Sequence, residues 1–453
     1  MKLIPALLIL LATALVILEP AQAASFDAGV ARACITPPMP FWLTGYAART
    51  NPAPKVRSDL WAKALALRDA RGQRAVIVTT DIIGLPAELS DAVARRLEEE
   101  HGLRRSDALF NSSHTHAGPV VWPNLKVMFD LDPSEQARAL DYTRQLTRTL
   151  VEVAGRALDQ LRPARLAAGV GSAGFAMNRR QPVGSAVRIG ENPVGPVDHS
   201  VPVIEVTTPD GGLLAVLFGY ACHNTTLGGN FYEIDGDYAG AAQREIEKAH
   251  PGATAMFLML CGGDQNPRPR GTYDHVTSHG HQLAAAVERV LGGTLTPLPP
   301  RLRSAWHAAT LEFAPHDRAR FETEAAGTHV FQQRRARLML EAYDRGQPIR
   351  TLEYPVQALR LGDTFTLLAL GGEVCIDYVH RARHQYPGEM LAVAGYCNDV
   401  SCYIPSRRVL DEGGYEPADS MIYYAQPGPL RDTVEETVFG AIDRVLAQVG
   451  VQR

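Results

Sequence analysis

The chain lacks any concentration of positive charge. Its 453 residues carry 45 Lys and Arg against 49 Asp and Glu, a formal net charge of −4 at pH 7, and no basic run stands out. Partners held mainly by electrostatics, such as nucleic acid or anionic lipid, call for a basic run or patch. The composition therefore argues against both kinds of partner.

Long apolar stretches are missing after the N-terminus. The only one, residues 3–18, follows Lys2 and ends before Glu19 and Pro20, with an Ala-x-Ala site just beyond. This pattern predicts a secretory signal peptide over residues 1–23 and favours cleavage over a membrane anchor. No Cys lies at the cleavage site, which argues against a lipoprotein. We expect an exported, periplasmic or secreted protein without a transmembrane span.

Cysteines are few and scattered. Their spacing is not that of a zinc-finger site, and with six of them the pairing is left open. Cys397 and Cys402 are close enough in sequence to clasp a loop, and export permits disulfides. Cys222, Cys261 and Cys375 lie in apolar runs, so they are candidates for buried thiols.

Several common site signatures are absent or out of context. No Gly-x-Ser-x-Gly occurs, which disfavours a serine hydrolase of the α/β-hydrolase type. The glycines of residues 169–174 match a dinucleotide pattern, but the following residues open no helix, as such a site requires. His279 and His281 open a helical pattern, in which alternate residues diverge, so we expect a helix start at the surface.

Apolar runs alternate with helical patterns along the chain. This alternation predicts an α/β fold with a mixed, mostly parallel β-sheet core, helices on its faces and the active site at the strand ends. The predicted strands are residues 62–67, 74–81, 108–112, 166–171, 201–206, 213–222, 253–260, 356–361, 365–370 and 391–395. The predicted helices are residues 86–101, 133–161, 238–250, 278–291, 317–345, 374–385 and 432–449.

We expect residues 24–453 to form a single catalytic domain. The Pro-rich segment 296–300 is the best internal boundary, and it precedes a possible helical insertion at about residues 317–347.

The segment 111–119, Asn-Ser-Ser-His-Thr-His-Ala-Gly-Pro, carries the strongest chemical signal. It places His114 and His116 two residues apart after a buried strand, and on an extended backbone such residues share a face. Imidazole nitrogens suit zinc and other late first-row metals. The simpler alternative is a polar strand end with two hydrogen-bonded histidines.

Other apolar strands end in the same manner. One leads to His223, another to Asp264 in Gly-Gly-Asp, a third to Glu373 in Gly-Gly-Glu, and a last one to the loop that carries Tyr403. Turns favour Gly and Asp for backbone reasons, but they have no comparable need for His, or for Glu straight after Gly-Gly. The recurrence favours a site built at the strand ends.

In order and spacing, these segments resemble the catalytic domain of the neutral/alkaline non-lysosomal ceramidases. The similarity rests on His-Thr-His-x-Gly-Pro, on the strand-His-x-Thr at 221–225, on the Gly-Asp turn at 263, on Gly-Glu at 372–373 and on Tyr-Ile-Pro at 403–405. It extends from about Gly29 to the C-terminal helix. The β-sandwich domain that follows in the known enzymes has no room before Arg453.

That family binds one zinc ion through two His, one Glu and one Tyr. The resemblance therefore implies one Zn²⁺ per chain, held by His114, His223, Glu373 and Tyr403. The residues themselves support the first three, since two His and a Glu form a known catalytic zinc set with an open position. Tyr403 rests on the resemblance alone, and zinc over manganese or nickel is a preference from ligand type.

The resemblance also implies supporting roles for His116, Arg179 and Tyr415. These side chains would hold the substrate carbonyl oxygen or stabilise the tetrahedral oxyanion. Arg180 is a competing choice for Arg179.

One position departs from the family pattern. The known enzymes have a Ser in a Gly-Asp-x-Ser-Pro turn, proposed as the nucleophile, where this chain has Asn266. An amide cannot form an acyl intermediate as a hydroxyl can. We therefore expect attack by metal-activated water, with Asp264 as a candidate base or as the group that orients a ligand histidine.

We predict an exported zinc-dependent amidohydrolase of the ceramidase type that cleaves an amide (N-acyl) bond of a lipid or lipid-like substrate. One alternative is a metal-dependent esterase or amidase for a small substrate, which Asn266 favours. Another is a non-catalytic periplasmic binding protein on the same fold. Acyl-chain length and oligomeric state are left open, and the loops 120–131 and 181–197 are candidates for the site rim.

Overall fold

The computed structural model describes residues 25–453, and the predicted signal peptide lies outside them. The strands are β1 Phe26–Cys34, β2 Lys55–Val56, β3 Trp61–Arg68, β4 Arg74–Thr80, β5 Ala108–Ser112, β6 Arg162–Ser172, β7 Ala176–Val183, β8 Ala186–Asn192, β9 Ser200–Thr207, β10 Leu213–Tyr220, β11 Glu233–Ile234, β12 Thr254–Met259, β13 Gln265–Pro267, β14 Thr296–Leu298, β15 Leu302–Glu312, β16 Thr351–Leu361, β17 Phe365–Leu370, β18 Glu373–Val374, β19 Met390–Ala394 and β20 Tyr403–Ile404. The helices are α1 Ala87–His101, α2 Pro133–Asp159, α3 Asp237–Ala249, α4 Tyr273–Leu291, α5 Arg318–Ala326, α6 Val330–Asp344, α7 Asp377–Gln385, α8 Arg407–Glu412 and α9 Val434–Gln448. Within residues 25–453, none of these helices combines the length and apolar character that crossing a bilayer requires.

Helix α2 begins where the sequence predicts because its first turn is fully capped. The Asp132 carboxylate accepts the backbone N–H groups of Ser134 and Glu135, both at 2.8 Å. The Glu135 side chain in turn accepts the N–H of Asp132 at 3.1 Å. Pro133 occupies the first helical position, where its missing N–H costs no hydrogen bond.

The largest sheet has nine strands in the order β12-β10-β9-β6-β1-β3-β4-β5, with β14 added beside β6. The α/β class with a mixed sheet flanked by helices is confirmed. The expectation that most of its strands pair in parallel is wrong, because in this sheet only β4 with β5 and β10 with β12 do so. The other pairs of this sheet are antiparallel. Short turns, such as that between β3 and β4, can join only antiparallel neighbours.

A second sheet, β15-β16-β17-β19, lies against the large one. Leu65 and Met256 of the large sheet share one apolar cluster with Leu367 of the second. Helices α1 and α2 pack on the large sheet in a separate cluster, while α3 and α4 cover the β9-β10-β12 end. The strands buried on both faces are the continuous apolar runs of the sequence.

Asn111, near the end of β5, joins three strand ends. Its buried side-chain Nδ2 donates to the carbonyl groups of Met259 at 3.1 Å and of Gly395 at 2.9 Å. Its Oδ1 accepts the N–H of Met259 at 2.8 Å. The carboxyl ends of β5, β12 and β19 therefore meet at one place, and the predicted site residues follow these ends.

The predicted helix 317–345 is two helices, α5 and α6. Gly327 breaks it, and His329 caps the second helix through its side chain. The pair has a small core of its own, formed by Phe321, Ala336 and Met339. That this region is an insertion stays a prediction.

The cysteines of the described residues are all free, and five of the six are buried. The predicted buried thiols Cys222, Cys261 and Cys375 are confirmed. The predicted clasp between Cys397 and Cys402 is wrong, since each side chain is a buried thiol in its own packing environment.

The expectation for His279 is also wrong. Helix α4 begins at Tyr273, ahead of the predicted start, so His279 lies inside the helix. Its buried ring stacks on Phe175 with 4.5 Å between centroids, and its Nε2 lies 2.6 Å from the Pro269 carbonyl oxygen. His281 is exposed, as predicted.

Candidate metal centre

Three of the predicted metal ligands meet at strand ends. His114 follows β5, His223 follows β10 and Glu373 follows β17, and all three are buried. The Nε2 atom of His114 lies 3.2 Å from Oε2 of Glu373, and Nε2 of His223 lies 3.0 Å from the same oxygen. Two imidazole nitrogens and one carboxylate oxygen thus surround a common point.

His114 reaches this point through a left-handed turn, not along an extended strand as the His-x-His spacing suggested. Its φ is 62°, and its N–H donates to the Ile82 carbonyl at 2.9 Å. The ring Nδ1 lies 2.6 Å from the Ile83 carbonyl oxygen. A carbonyl oxygen can only accept a hydrogen bond, so Nδ1 carries a proton and the Nε2 atom faces the centre.

His223 is oriented in the same way. Its Nδ1 lies 2.8 Å from the Gly262 carbonyl oxygen, and Arg179 Nη1, which can only donate, lies 3.1 Å from its Nε2. Burial and then the Arg179 charge lower the pKa of His223 to about 4. The imidazole is therefore neutral at physiological pH, with its Nε2 lone pair directed into the site.

Two tyrosines also contact the Glu373 carboxylate. The Tyr396 hydroxyl lies 3.3 Å from Oε2 and the Tyr424 hydroxyl donates to Oε1. Burial alone would raise the pKa of Glu373, but His114 and His223 outweigh it and hold the pKa well below its usual range. The carboxylate is ionised, as a metal ligand must be.

Tyr403 is the cross-strand neighbour of Glu373, because β20 pairs with β18 in that register. Its hydroxyl lies 3.2 Å from Nε2 of His223 and accepts from Arg179 Nη2 at 2.9 Å. Burial raises the pKa of Tyr403 well above its usual value, and Arg179 opposes this only in part. The Tyr403 phenol therefore needs a further cation, besides Arg179, to ionise.

Three separations between the four predicted donors match those of a tetrahedral zinc site. Metal–ligand bonds of about 2.0–2.1 Å place the ligand atoms of a tetrahedron about 3.3 Å apart. The separations from Glu373 Oε2 to His114 and His223 are 3.2 and 3.0 Å, and that from His223 to the Tyr403 hydroxyl is 3.2 Å. The backbone carbonyls that orient both imidazoles supply the support a metal site needs.

His116 offers a second possible donor set, because His114, His116 and His223 also bring one ligand atom each within 4.8 Å of one another. The Nε2 atoms of His116 and His114 are 3.1 Å apart. However, no group among residues 25–453 pairs with the buried Nδ1 of His116, so no acceptor there holds a proton. The favoured tautomer carries the proton on Nε2, which suits a hydrogen-bond donor better than a ligand.

Arg179, and not Arg180, belongs to the site. Its Nε donates to Glu416 at 2.8 Å, while its two Nη atoms contact His223 and Tyr403. The guanidinium of Arg180 turns away and pairs with Glu412 at 2.9 Å and with the other oxygen of Glu416. Both arginines are buried, and the carboxylate that they share fixes their positions.

Asp264 does not take the predicted place beside a ligand histidine. Its carboxylate accepts from Asn178 Nδ2 at 3.1 Å and from the N–H of Ile376 at 2.9 Å. Burial raises its pKa to about 6. The role of orienting the histidines belongs to the carbonyl groups, and Asp264 instead ties the turn after β12 to the start of α7.

A cavity of about 220 Å³ opens over His116, Arg179 and Tyr403. Met128 and Ile189 line it, so both loops proposed for the rim reach the site. Further lining residues are Gly45, Tyr46, Ala47, Thr225, Asn266, Arg270, Tyr415 and Tyr423.

Tyr415 lies on the cavity wall as predicted. Its ring centroid is 5.7 Å from that of Tyr403, and the Arg179 guanidinium lies 5.7 Å from its ring.

Asn266 also lines the cavity, where the known enzymes carry their Ser. Its Oδ1 lies 3.3 Å from the Thr225 hydroxyl and 3.4 Å from Arg179 Nη1. The residue is therefore part of the polar wall.

Sequence reasoning missed Glu416, Tyr396 and Tyr424. Each contacts a residue that the sequence does assign, but a single Glu or Tyr in a loop follows no periodicity. The one available signal was the position of Glu416 directly after Tyr415.

Comparisons with known proteins agree with this architecture. Over 229 residues, 46% of this chain, the sequence is 24% identical to neutral ceramidase A of Dictyostelium discoideum, and the match spans only about a third (31%) of that protein's length. The crystal structure of neutral ceramidase from Pseudomonas aeruginosa superposes with a TM-score of 0.74 at 18% identity, covering 95% of this chain and 76% of that one. A ceramidase complexed with C2 gives a TM-score of 0.70 at 17% identity, with 95% and 77% covered.

The family model for the N-terminal part of the neutral/alkaline non-lysosomal ceramidases matches residues 26–288. This match covers more than half of the chain and includes His114, His116, Arg179 and His223. The chain belongs to the neutral/alkaline non-lysosomal ceramidase family.

Proposed function

We propose that this protein is a zinc-dependent amide hydrolase that cleaves the N-acyl bond of a lipid or lipid-like substrate. Family membership supports an amide hydrolase of the ceramidase type. The observation that carries the proposal is the convergence of His114, His223, Glu373 and Tyr403 beside a cavity that Tyr403 lines.

These four side chains would hold the metal. When bound, zinc supplies a Lewis acid that polarises a carbonyl group and promotes the ionisation of water. The lone pairs of both histidines already face the centre, and Glu373 is ionised, so the protein needs little rearrangement to bind the ion.

Arg179 and His116 are placed to act on the substrate oxygen. The Arg179 guanidinium is fixed by Glu416 at 2.8 Å and faces the cavity beside Tyr403. Preorganised donors of this kind stabilise the charge that develops on a carbonyl oxygen when the amide is attacked. The His116 imidazole also lines the cavity and would add a second polar group beside the substrate carbonyl.

Asn266 cannot act as an acyl-forming nucleophile, since an amide nitrogen or oxygen lacks the reactivity of a hydroxyl. Water would therefore attack the carbonyl carbon directly, and no acyl group would become attached to residue 266.

The second candidate is a metal-dependent esterase or amidase for a small substrate. The cavity volume of about 220 Å³ favours it, since it falls below the range of about 300–1,000 Å³ common for ligand pockets. The same groups could act on an ester carbonyl.

Export is part of the proposal and rests on the sequence of residues 1–23. N-terminal sequencing of the protein recovered from its native host should begin at residue 24. Recovery of the intact N-terminus would contradict export with cleavage.

The activity is tested with the purified mature chain on N-dodecanoylsphingosine, on N-dodecanoylethanolamine and on a dodecanoyl ester of the same length. The proposal expects amide cleavage that a chelator abolishes and added zinc restores. Hydrolysis of the ester alone would favour the second candidate. Undiminished amide cleavage after complete metal removal would contradict the zinc-dependent mechanism.

A further inference from the structure

Arg270 lies at the mouth of the cavity on a segment with little freedom. The N–H of Gly271 donates to the Thr226 carbonyl at 2.7 Å, and that of Arg268 donates to the Phe175 carbonyl at 2.8 Å. The backbone on both sides of Arg270 is therefore held against neighbouring elements.

The side chain of Arg270 contacts a tyrosine that packs on the histidine cluster. Its Nη2 donates to the Tyr46 hydroxyl at 3.1 Å. The Tyr46 hydroxyl donates to the Leu227 carbonyl at 2.8 Å, and its ring packs on that of His116 with centroids 4.8 Å apart. The guanidinium is thus one side chain away from the histidine cluster.

The charge of Arg270 has no partner of its own. Arg179, on the same cavity, is balanced by Glu416, and Arg268, two residues away, pairs with Glu191. Among the described residues, no carboxylate pairs with the Arg270 guanidinium, and neither Asp nor Glu lines the cavity. The cavity wall therefore carries one uncompensated positive charge.

Asn266 adds a neutral donor beside it. Its Oδ1 faces Arg179, which can only donate, and the Thr225 hydroxyl. The amide oxygen is engaged by these two groups, so the Nδ2 hydrogens are left for a ligand in the cavity. One wall of the cavity thus presents donors and positive charge.

From this wall we infer that the preferred substrate carries an anionic, oxygen-rich group close to the scissile amide, which Arg270 and Asn266 bind. The inference rests on the proposed function and narrows its substrate class to acidic N-acyl amines. A guanidinium binds the paired oxygens of a carboxylate or a phosphate, so a carboxylate on an N-acyl amino acid and a phosphate on an N-acyl amino alcohol share the required chemistry.

Three substrates of equal acyl length test it: N-dodecanoylglycine, N-dodecanoylethanolamine and the O-phosphate of N-dodecanoylethanolamine. The mature wild-type chain should favour at least one anionic substrate over the neutral one by about tenfold in kcat/KM, as expected for one charge-assisted contact at a solvent-accessible site. In Arg270→Gln this preference, measured as the ratio of kcat/KM for the anionic substrate to that for the neutral one, should disappear, mainly through a higher KM for the anionic substrate. Arg268→Gln, which removes a charge of the same segment outside this cavity, is the matched control and should keep the preference.

The outcomes separate this inference from the proposed function. Preference for the carboxylate or for the phosphate would support the inference and identify the group. Equal cleavage of all three substrates, or a preference that survives Arg270→Gln, would overturn the inference and leave the amide hydrolase standing. Failure of the zinc-loaded wild type to cleave any of the three, or N-dodecanoylsphingosine, would overturn both.

Discussion

Nε2 of His223 lies 3.0 Å from Oε2 of Glu373, although the two residues follow strands of different sheets. Burial removes the Glu373 carboxylate from solvent, and the Nε2 atoms of His114 and His223 face its Oε2 atom. A cation bound between the carboxylate and the two imidazole nitrogens would offset the cost of burying this charge. This relationship is the physical basis for the metal site.

Arg179→Lys should reduce kcat/KM by about 100-fold, since one preorganised donor to a developing oxyanion is typically worth that much. Lysine cannot contact Glu416, His223 and Tyr403 together as the guanidinium does. The measurement is steady-state kinetics on an N-acyl amide, with metal content determined on the same sample. Arg180→Lys is the matched control and should lower thermal stability with a much smaller effect on the rate. A larger loss of activity in the Arg180 variant would contradict the assignment.

His116→Ala should keep the metal and lose most of the activity. Its Nδ1 has no acceptor, so the tautomer argument makes it a donor and not a ligand. Elemental analysis and kinetics on the same preparation check this. Loss of the metal in His116→Ala would favour the set of three histidines over the set that includes Glu373 and Tyr403.

Gly45→Ala should inactivate the enzyme by displacing His116. Gly45 has a φ of +90°, and an added Cβ would overlap the His116 imidazole. Gly72 has a φ of +85° with open space around it, so Gly72→Ala carries a similar backbone strain of about 1–2 kcal/mol without the overlap. Both variants should lose stability in urea unfolding, but only Gly45→Ala should lose activity. Equal activity of the two would show that the position of His116 does not matter.

Asp399→Asn should change the pH dependence of stability. Burial raises the pKa of Asp399 from 3.8 to about 7, and its Oδ1 accepts the N–H of Ala87 at 3.0 Å. The folded state therefore binds the proton more tightly, and this contribution, complete below about pH 4, is lost as the pH rises through about 7. Each tenfold difference in proton affinity is worth about 1.4 kcal/mol.

Urea unfolding of both proteins should therefore diverge as the pH is raised from about 4 to 8, with Asp399→Asn the more stable at the upper end. Asparagine keeps an acceptor for Ala87, so the hydrogen bond itself is preserved. Curves that stay parallel across this range would contradict a protonated Asp399 in the fold.

Much of the fold could be predicted because its strands are buried on both faces. The bounds of β5 and β17 match the predicted segments residue for residue, and every residue of both strands is buried. In contrast, β7 and β8 went unpredicted, since they are rich in polar and exposed residues. Strand direction depends on which elements become neighbours, and a pattern within one segment does not contain that information.

The site was predictable where ligands follow strands. His114, His223 and Glu373 lie directly after apolar runs. Their convergence could be expected because ligand sites form at the carboxyl ends of the strands in such sheets. Asp264 follows the same rule but turns toward Asn178, because the direction of a turn is not encoded in the strand before it. The Arg179–Glu416 pair joins residues 237 positions apart, and no local pattern reveals such a contact.

The most direct test of the account is the metal content of the purified mature protein, measured by elemental analysis for the wild type and for His114→Ala in parallel. The account predicts about one zinc ion per wild-type chain, as a single tetrahedral site holds, and none in the variant, with both proteins folded by circular dichroism. A wild-type protein that neither contains zinc nor takes it up when it is added would contradict the metal site and, with it, the proposed mechanism.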